Sequence, residues 1–123
     1  MVQGSDAVGT VVAIGKNVTR VRCGDRILTN FATRWLAGPP QTEQSKYTLG
    51  SFASGVLAEQ IVIDEEVAVQ APAYLPDIEA ATLPCAAVTA WYAVVEKANI
   101  SSGQLVLVCR CLRSRSQPLW EPR

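Results

Sequence analysis

Histidine is absent from this chain, which removes the commonest general base near neutral pH and the commonest metal ligand. Ser-His and Cys-His nucleophile pairs are therefore excluded within it. Four cysteines remain as nucleophiles or ligands: Cys23, Cys85, Cys109 and Cys111. They are scattered, form no C-x-x-C pair and suggest no disulfide framework. Cys109 and Cys111 flank a single residue, too close for a zinc knuckle, and no second pair completes a tetrahedron. Among the carboxylates, Asp25-Arg26 reads as a turn aspartate beside a solvated arginine rather than a catalytic pair. Asp64-Glu65-Glu66 reads as an exposed acidic turn rather than a cation site. Trp91 and Tyr92 are able to stack on a cofactor ring, but their helical spacing favours packing in a core.

The elements that must position these groups follow from the hydrophobic pattern. Residues 8–14 alternate as a strand does, with Val8, Thr10, Val12 and Ile14 on one face. Gly15-Lys16-Asn17 and Cys23-Gly24-Asp25 read as turns, with extended chain over 18–21 and a strand over 26–30. These are the ingredients of a small antiparallel barrel. Residues 31–54, with Gly38-Pro39-Pro40 and many small polar residues, form a loop long enough to be a functional flap or a mobile segment. Residues 56–63 read as a strand whose inner face carries Leu57, Ile61 and Ile63, with Glu59 as a polar exception. A short strand over 67–71 follows. Asp77 or Glu79 then favours a helix N-terminus by capping and by the helix dipole. Pro84 breaks that helix and suits the first turn of the next. Cys85, Val88, Trp91, Tyr92 and Val95 share one face of this second helix. After the turn at 101–103, residues 104–108 are almost wholly apolar, as a central parallel strand opening a βαβ unit should be.

At 123 residues, 49% apolar and 18% charged, the chain suits one globular domain. Its net charge is zero but unevenly spread. Residues 1–109 carry seven basic and ten acidic side chains, and residues 110–123 carry four arginines and one glutamate. Without aromatic interleaving, the basic end argues neither for nucleic acid nor for a membrane surface. No basic stretch with an apolar run opens the chain as a secretory signal would. The longest uncharged stretch, 80–95, is too short to span a bilayer. Asn17-Val18-Thr19 matches a glycosylation sequon, which without a secretory signal reads as chance. The expected compartment is cytoplasmic.

Several strings, in order, resemble one family. Gly4-Ser5-Asp6 leads into Gly9-Thr10-Val11-Val12-Ala13-Ile14-Gly15, then Val18, Val21 and Gly24-Asp25-Arg26. Gly55-Val56-Leu57-Ala58-Glu59, Ala80-Ala81-Thr82-Leu83-Pro84 and Thr89-Ala90-Trp91 follow. Together they resemble the medium-chain dehydrogenase/reductase superfamily, in its zinc-independent alcohol dehydrogenase-like or quinone oxidoreductase-like branch. The resemblance covers residues 4–108. It implies a mainly β fold with α: a partial GroES-like β-barrel over 1–79, then a helical segment and the first strand of an incomplete Rossmann domain over 80–108. The implied chemistry is hydride transfer between NAD or NADP and a carbonyl, enone, quinone or alcohol. Thr89 would lie near the nicotinamide. Asp6, Asn30 and Trp35 would face the small-molecule substrate, with the 30–54 loop lining that side. Homo- or hetero-oligomers are compatible with the family.

The departures carry equal weight. Zinc members have Gly-His-Glu where this chain has Gly4-Ser5-Asp6, so no imidazole faces a metal there. Cys85 falls near a ligand position, but one thiolate makes no tetrahedral site, and it reads as a small buried thiol on a helix face. No zinc is expected. After Val108 the family has a glycine loop that lets backbone N–H groups approach a pyrophosphate. Here Cys109-Arg110-Cys111 follows, in a basic, non-family tail over 109–123 with Pro118 and Pro122. Such a switch in composition is what a frameshift, retained intron or misplaced exon boundary produces. The chain is thus expected to be a fragment truncated at both ends, marginally stable and inactive by itself, with 31–54 and 110–123 mobile. The alternative is a stand-alone GroES-like binding module without catalysis.

Overall fold

The computed structural model describes residues 2–107; Val108 and the basic tail over 109–123 lie outside the described residues. A three-stranded antiparallel sheet forms the centre, in the order β1 (Val8–Thr10), β2 (Arg26–Thr29), β3 (Ala68–Gln70). Val8 stands opposite Leu28, and Leu28 opposite Val69. Successive side chains of a strand point to opposite faces, and β2 uses both of its faces. Ile27 packs with Val21 and Ala68, flanked by Val11, Val18 and Ile63. Leu28 packs with Ala71 and Ala80, flanked by Val8, Leu75 and Leu83. Burial of each large aliphatic side chain in such a cluster contributes roughly 1.5–3 kcal/mol.

The first expected strand is shorter than its alternation implies. The regular ladder stops at Thr10, and Val11 extends the pairing with one bond to the Asp25 carbonyl (2.9 Å) and one from the Gly24 amide (2.8 Å). Beyond it Val12 and Ile14 are exposed. Both expected turns are present. Val18 closes the first onto the Gly15 carbonyl at 3.2 Å. In the second, the Asp25 carboxylate accepts the Arg22 amide at 2.8 Å, and Gly24 adopts φ +93°.

The strand expected over 56–63 does not form. The amides of Gly55, Val56 and Leu57 bond to the carbonyls of Val2, Gly4 and Gln3, after which the Ala58 amide turns back onto Val56. A strand exists only while a neighbour shares its ladder. Among the described residues, 59–63 have none, and Val62 is fully exposed. Glu59 is exposed too, so its place in the pattern needs no buried partner. A 3₁₀ turn, Glu65–Val67, capped by the Asp64 side chain on the Glu66 amide (3.0 Å), then feeds β3.

The helical region begins as α1 (Asp77–Ala80). Pro76 occupies the cap position, so Asp77 and Glu79 act as first-turn charges near the helix's positive end and neither is a cap. Helix α1 ends at Ala80, ahead of Pro84, and Pro84 stands in the first turn of the next helical segment, as expected. That segment, Leu83–Ala87, is π-type: the Ala87 amide reaches back five residues to Thr82. The chain continues through α2 (Val88–Trp91) and a second π-type segment, Tyr92–Lys97, and stops where Asn99 turns left-handed at φ +47°. The face built from Val88, Trp91, Tyr92 and Val95 is exposed rather than packed in a core, because α2 mainly touches its own flanking segments. Residues 104–107 likewise join no ladder among the described residues, and Leu105 is wholly exposed.

Candidate functional site

The start of β1 and the end of β2 meet at one end of the hairpin. The Thr29 amide donates to the Ala7 carbonyl (3.1 Å), and the Ala7 amide donates to the Thr29 hydroxyl (3.2 Å). This register sets Asp6 and Asn30, the residues just beyond that pair, at the same hairpin end. Both are half-buried. The Ser5 hydroxyl donates to Asp6 Oδ2, whereas Asp6 Oδ1 is buried and has no hydrogen-bond partner among the described residues. A buried acceptor left in that state costs about 1–3 kcal/mol. Asn30 is occupied locally: its amide group bonds the Ala32 carbonyl at 3.3 Å and the Ala32 amide at 3.4 Å.

From Asn30 the chain rises into a folded flap. Ala32 bridges Thr48, the Thr33 amide and hydroxyl both donate to the Tyr47 carbonyl, and Leu49 bonds Phe31. The Arg34 guanidinium lies 3.9 Å from the centre of the Tyr47 ring, a cation–π contact. A 3₁₀ helix, Thr42–Tyr47, forms the crown and is closed by a Gln41–Gln44 capping box. Trp35 lies in this flap, partly exposed, with its indole N–H on the Gly38 carbonyl at 2.9 Å.

The far foot of the flap is fixed by three glycines. A side chain on Gly50, whose φ is +72°, would stand 2.5 Å from the Gly4 carbonyl oxygen. A side chain on Gly55 would collide with the Gln3 carbonyl, and one on Gly4 would stand 2.9 Å from Leu57. Glycine alone permits so close a backbone crossing. It lies two residues from Asp6.

Thr89 is exposed on α2, and among the described residues no hydrogen bond joins it to Asp6, Asn30 or Trp35. The hairpin end brings Asp6 and Asn30 to the foot of the flap that bears Trp35. An open pocket of about 240 Å³ lies along Val2, Gly55, Gln60, Ile61 and Val62, and none of the four expected site residues lines it.

Two positioning features were not foreseen. Arg26 is not solvated: it bonds Asp77 at 2.7 Å and the carbonyls of Pro72 and Leu75 at 2.9 and 2.7 Å. Glu65 is not an idle acidic residue, since one of its oxygens accepts the amides of Thr19 and Arg20 at 2.8 and 2.7 Å. Glu66 pairs with Arg20 at 3.7 Å. Asp25 is the turn aspartate expected. Cys85 is half-buried rather than buried, and Cys23 is exposed. Among the described residues no group of three or more His, Cys, Asp or Glu is placed to hold a metal ion. No helix there is long and apolar enough to cross a membrane.

Residues 1–73 match the profile of the alcohol dehydrogenase GroES-like domain. A zinc-type alcohol dehydrogenase-like protein of Schizosaccharomyces pombe is 36% identical over 110 residues, covering 88% of this chain and 32% of its own length. A 2-methylene-furan-3-one reductase of Solanum lycopersicum is 36% identical over 107 residues, covering 87% of this chain and 24% of its own. A crystal structure described as an alcohol dehydrogenase from Sinorhizobium meliloti superposes with a TM-score of 0.74 at 47% identity, over 82% of this chain and 30% of that one. The chain thus spans about a third or less of the length of these relatives. With the profile covering more than half of its residues, the chain belongs to the alcohol dehydrogenase GroES-like family, within the medium-chain dehydrogenase/reductase superfamily.

Proposed function

We propose that this chain supplies the substrate-side part of an NAD(P)(H)-dependent medium-chain oxidoreductase, one that moves a hydride to or from a carbonyl, enone, quinone or alcohol. The observation that carries the reading is Asp6, with its unpartnered buried oxygen, at the hairpin end from which the flap rises. In this reading a small substrate lies on the side of the domain that carries Asp6, Asn30 and the flap with Trp35. The domain division of the reading is 1–79 for the GroES-like part, 80–108 for the start of the cofactor domain and 109–123 for a basic tail. The compartment is cytoplasmic, the partners are a small molecule and further subunits, and neither nucleic acid nor membrane is involved.

The described residues do not fit a dinucleotide by themselves. A pyrophosphate site needs a glycine-rich turn running into a helix N-terminus. Gly103 alone precedes the last apolar segment, and no helix follows it among the described residues. No catalytic step is therefore routed through the cofactor here, and Thr89 is the one residue assigned to its vicinity. Zinc fits no better: Ser5 offers no imidazole, and Cys85 belongs to no group of three or more His, Cys, Asp or Glu among the described residues that could hold a metal ion. The name of the yeast relative refers to zinc, but the donor set of this chain supports a zinc-free reading.

The test is a hybrid in which residues 2–107 replace their counterpart in the Sinorhizobium enzyme. Expected is nicotinamide-dependent turnover of a carbonyl or alcohol substrate that falls on Asp6→Ala, while the 123-residue chain alone shows none. A folded hybrid with no turnover would remove the oxidoreductase reading in favour of a stand-alone GroES-like binding module, which the exposed apolar face of α2 also suits.

A further inference from the structure

Arg26 is fixed by its backbone and by its side chain. Its carbonyl accepts the Ala71 amide at 2.9 Å. Its guanidinium donates to Asp77 and to the carbonyls of Pro72 and Leu75 at 2.7, 2.9 and 2.7 Å. Further along the same strand β2 leads into Asn30, at the hairpin end that carries Asp6. Beyond Asp77 the helical region leads to Thr89 on α2. From these we infer that Arg26 is a positioning residue: its guanidinium fixes how the helical region, 77–97, is turned relative to the sheet, and so where Thr89 lies relative to Asn30.

Apolar packing and Arg26 hold the helical region to the sheet in different ways. Ala80 of α1 is fully buried in the cluster with Leu28 and Ala71. Apolar attraction is non-directional, and a methyl group offers little shape with which to fix a rotation. The guanidinium supplies direction, because its planar fork aims several donors along set lines. Here those lines meet the turn before α1 at Pro72 and Leu75, and α1 itself at its first residue. The Arg26 side chain is 28% exposed and that of Asp77 72% exposed, so the shielded bonds to the carbonyls carry the hold and the ion pair adds to it. At about 1.5 Å per helical residue, Thr89 lies up to roughly 18 Å from Asp77. A tilt of about 10° at Asp77 would then displace it by up to roughly 3 Å, where a misplacement of about 1 Å can cost on the order of a hundredfold in rate. The catalytic consequence rests on the proposed function, in which Asn30 faces the substrate and Thr89 the nicotinamide; the orientation itself does not.

The test is a set of amide residual dipolar couplings from the full chain in a weakly aligning medium. In the unsubstituted chain, the couplings of β1–β3 and of 77–97 should fit one alignment tensor. In Arg26→Met those of 77–97 should shrink by about half or more, while those of the strands keep their size. Arg26→Lys, which keeps the charge and loses the fork, should show the same loss, and it carries the test if circular dichroism finds Arg26→Met unfolded. Asp77→Asn should leave both sets unchanged. So should Glu65→Ala, a destabilising control that loosens the segment before Val21, on the opposite face of β2. In the Sinorhizobium hybrid, Arg26→Met should lower kcat at least tenfold and move KM for the small substrate less than threefold. A hybrid without turnover before any substitution would remove the oxidoreductase reading, and the couplings would still decide the role of Arg26. Couplings of 77–97 untouched in Arg26→Met, or fully restored by Arg26→Lys, would overturn the proposal.

Discussion

The Nε of Arg26 donates to Asp77 Oδ1 across 2.7 Å, tying the first residue of β2 to the first residue of α1, 51 positions away. The other two guanidinium nitrogens hold the carbonyls of Pro72 and Leu75. One side chain therefore bonds three points of the turn that delivers the chain from β3 to the helical region. Arginine suits the task because its planar fork presents several donors in fixed directions.

The two partners contribute unequally. Asp77 is largely exposed and Arg26 mostly shielded, so Asp77→Asn should cost less than about 1 kcal/mol, as exposed ion pairs do. Arg26→Met should cost about 2–3 kcal/mol, since it strands two carbonyls that accept charge-assisted bonds. Urea denaturation of the two variants checks the order. Equal losses would mean that the ion pair, and not the pair of carbonyl bonds, holds the turn.

The glycines should separate by environment. Gly55→Ala and Gly50→Ala place a methyl group against the backbone of Gln3 or Gly4 and should each cost roughly 2–4 kcal/mol. Gly24→Ala has open space around it and only its φ of +93° to overcome, so about 1–2 kcal/mol is expected. Gly9→Ala meets neither obstacle and should be close to neutral. Thermal melts of the four variants give the ranking.

Glu65→Ala should loosen the segment before Val21, because two amides lose their common acceptor. A loss of about 1–2 kcal/mol is expected. Amide exchange at Thr19 and Arg20 should speed up, while that of Leu28, in the central strand, stays slow relative to them. Unchanged exchange at Thr19 would show that the carboxylate is dispensable.

Lys97 has its pKa raised above 10.5, first by a hydrogen bond to Tyr92 and then by the charge of that phenol; its ammonium also lies 5.1 Å from the centre of the Tyr92 ring. A raised folded-state pKa gives stability that is complete below the unfolded value and lost as pH climbs through the folded one. The contact therefore holds across neutral pH and fades above 10.5. Following the Lys97 side-chain resonances from pH 9 to 12 should show the midpoint fall in Tyr92→Phe.

What the sequence disclosed divides along physical lines. The turns at Gly15 and Gly24 were legible because turn chemistry is local: glycine and Asx residues state their conformation within a few positions. The hydrophobic alternation placed Val8, Ile27, Leu28 and Ala68 in strands, since period-two patterns report burial on a sheet. The same signal overreached at 56–63, because alternation shows what a segment favours and not whether a neighbour is there to pair with it. Pro84 was legible for the same local reason as the turns: a residue without an N–H is at home in a first helical turn, and it stands there in Leu83–Ala87. At the site, Asp6 was reached by resemblance, while the Arg26 and Glu65 attachments link residues 45 to 51 positions apart, beyond any local pattern. The glycine crossing left a trace in the sequence, three glycines outside helices, but nothing that paired Gly4 with Gly50.

That crossing makes the flap an arch with two footings. One rests at Asn30, whose amide is held by the Val67 carbonyl at 2.8 Å, and the other rests at Gly50 against the backbone of Gly4, two residues before Asp6. An arch tolerates a longer crown more readily than a shifted footing. Extra residues between 36 and 41 would lengthen the span and leave both supports in place. A single residue added between Gly50 and Gly55 would move a Cβ into the backbone of residues 3 and 4 and tilt the segment that carries Asp6. The length of chain available to reshape the candidate site thus lies at its summit, and its base admits almost none.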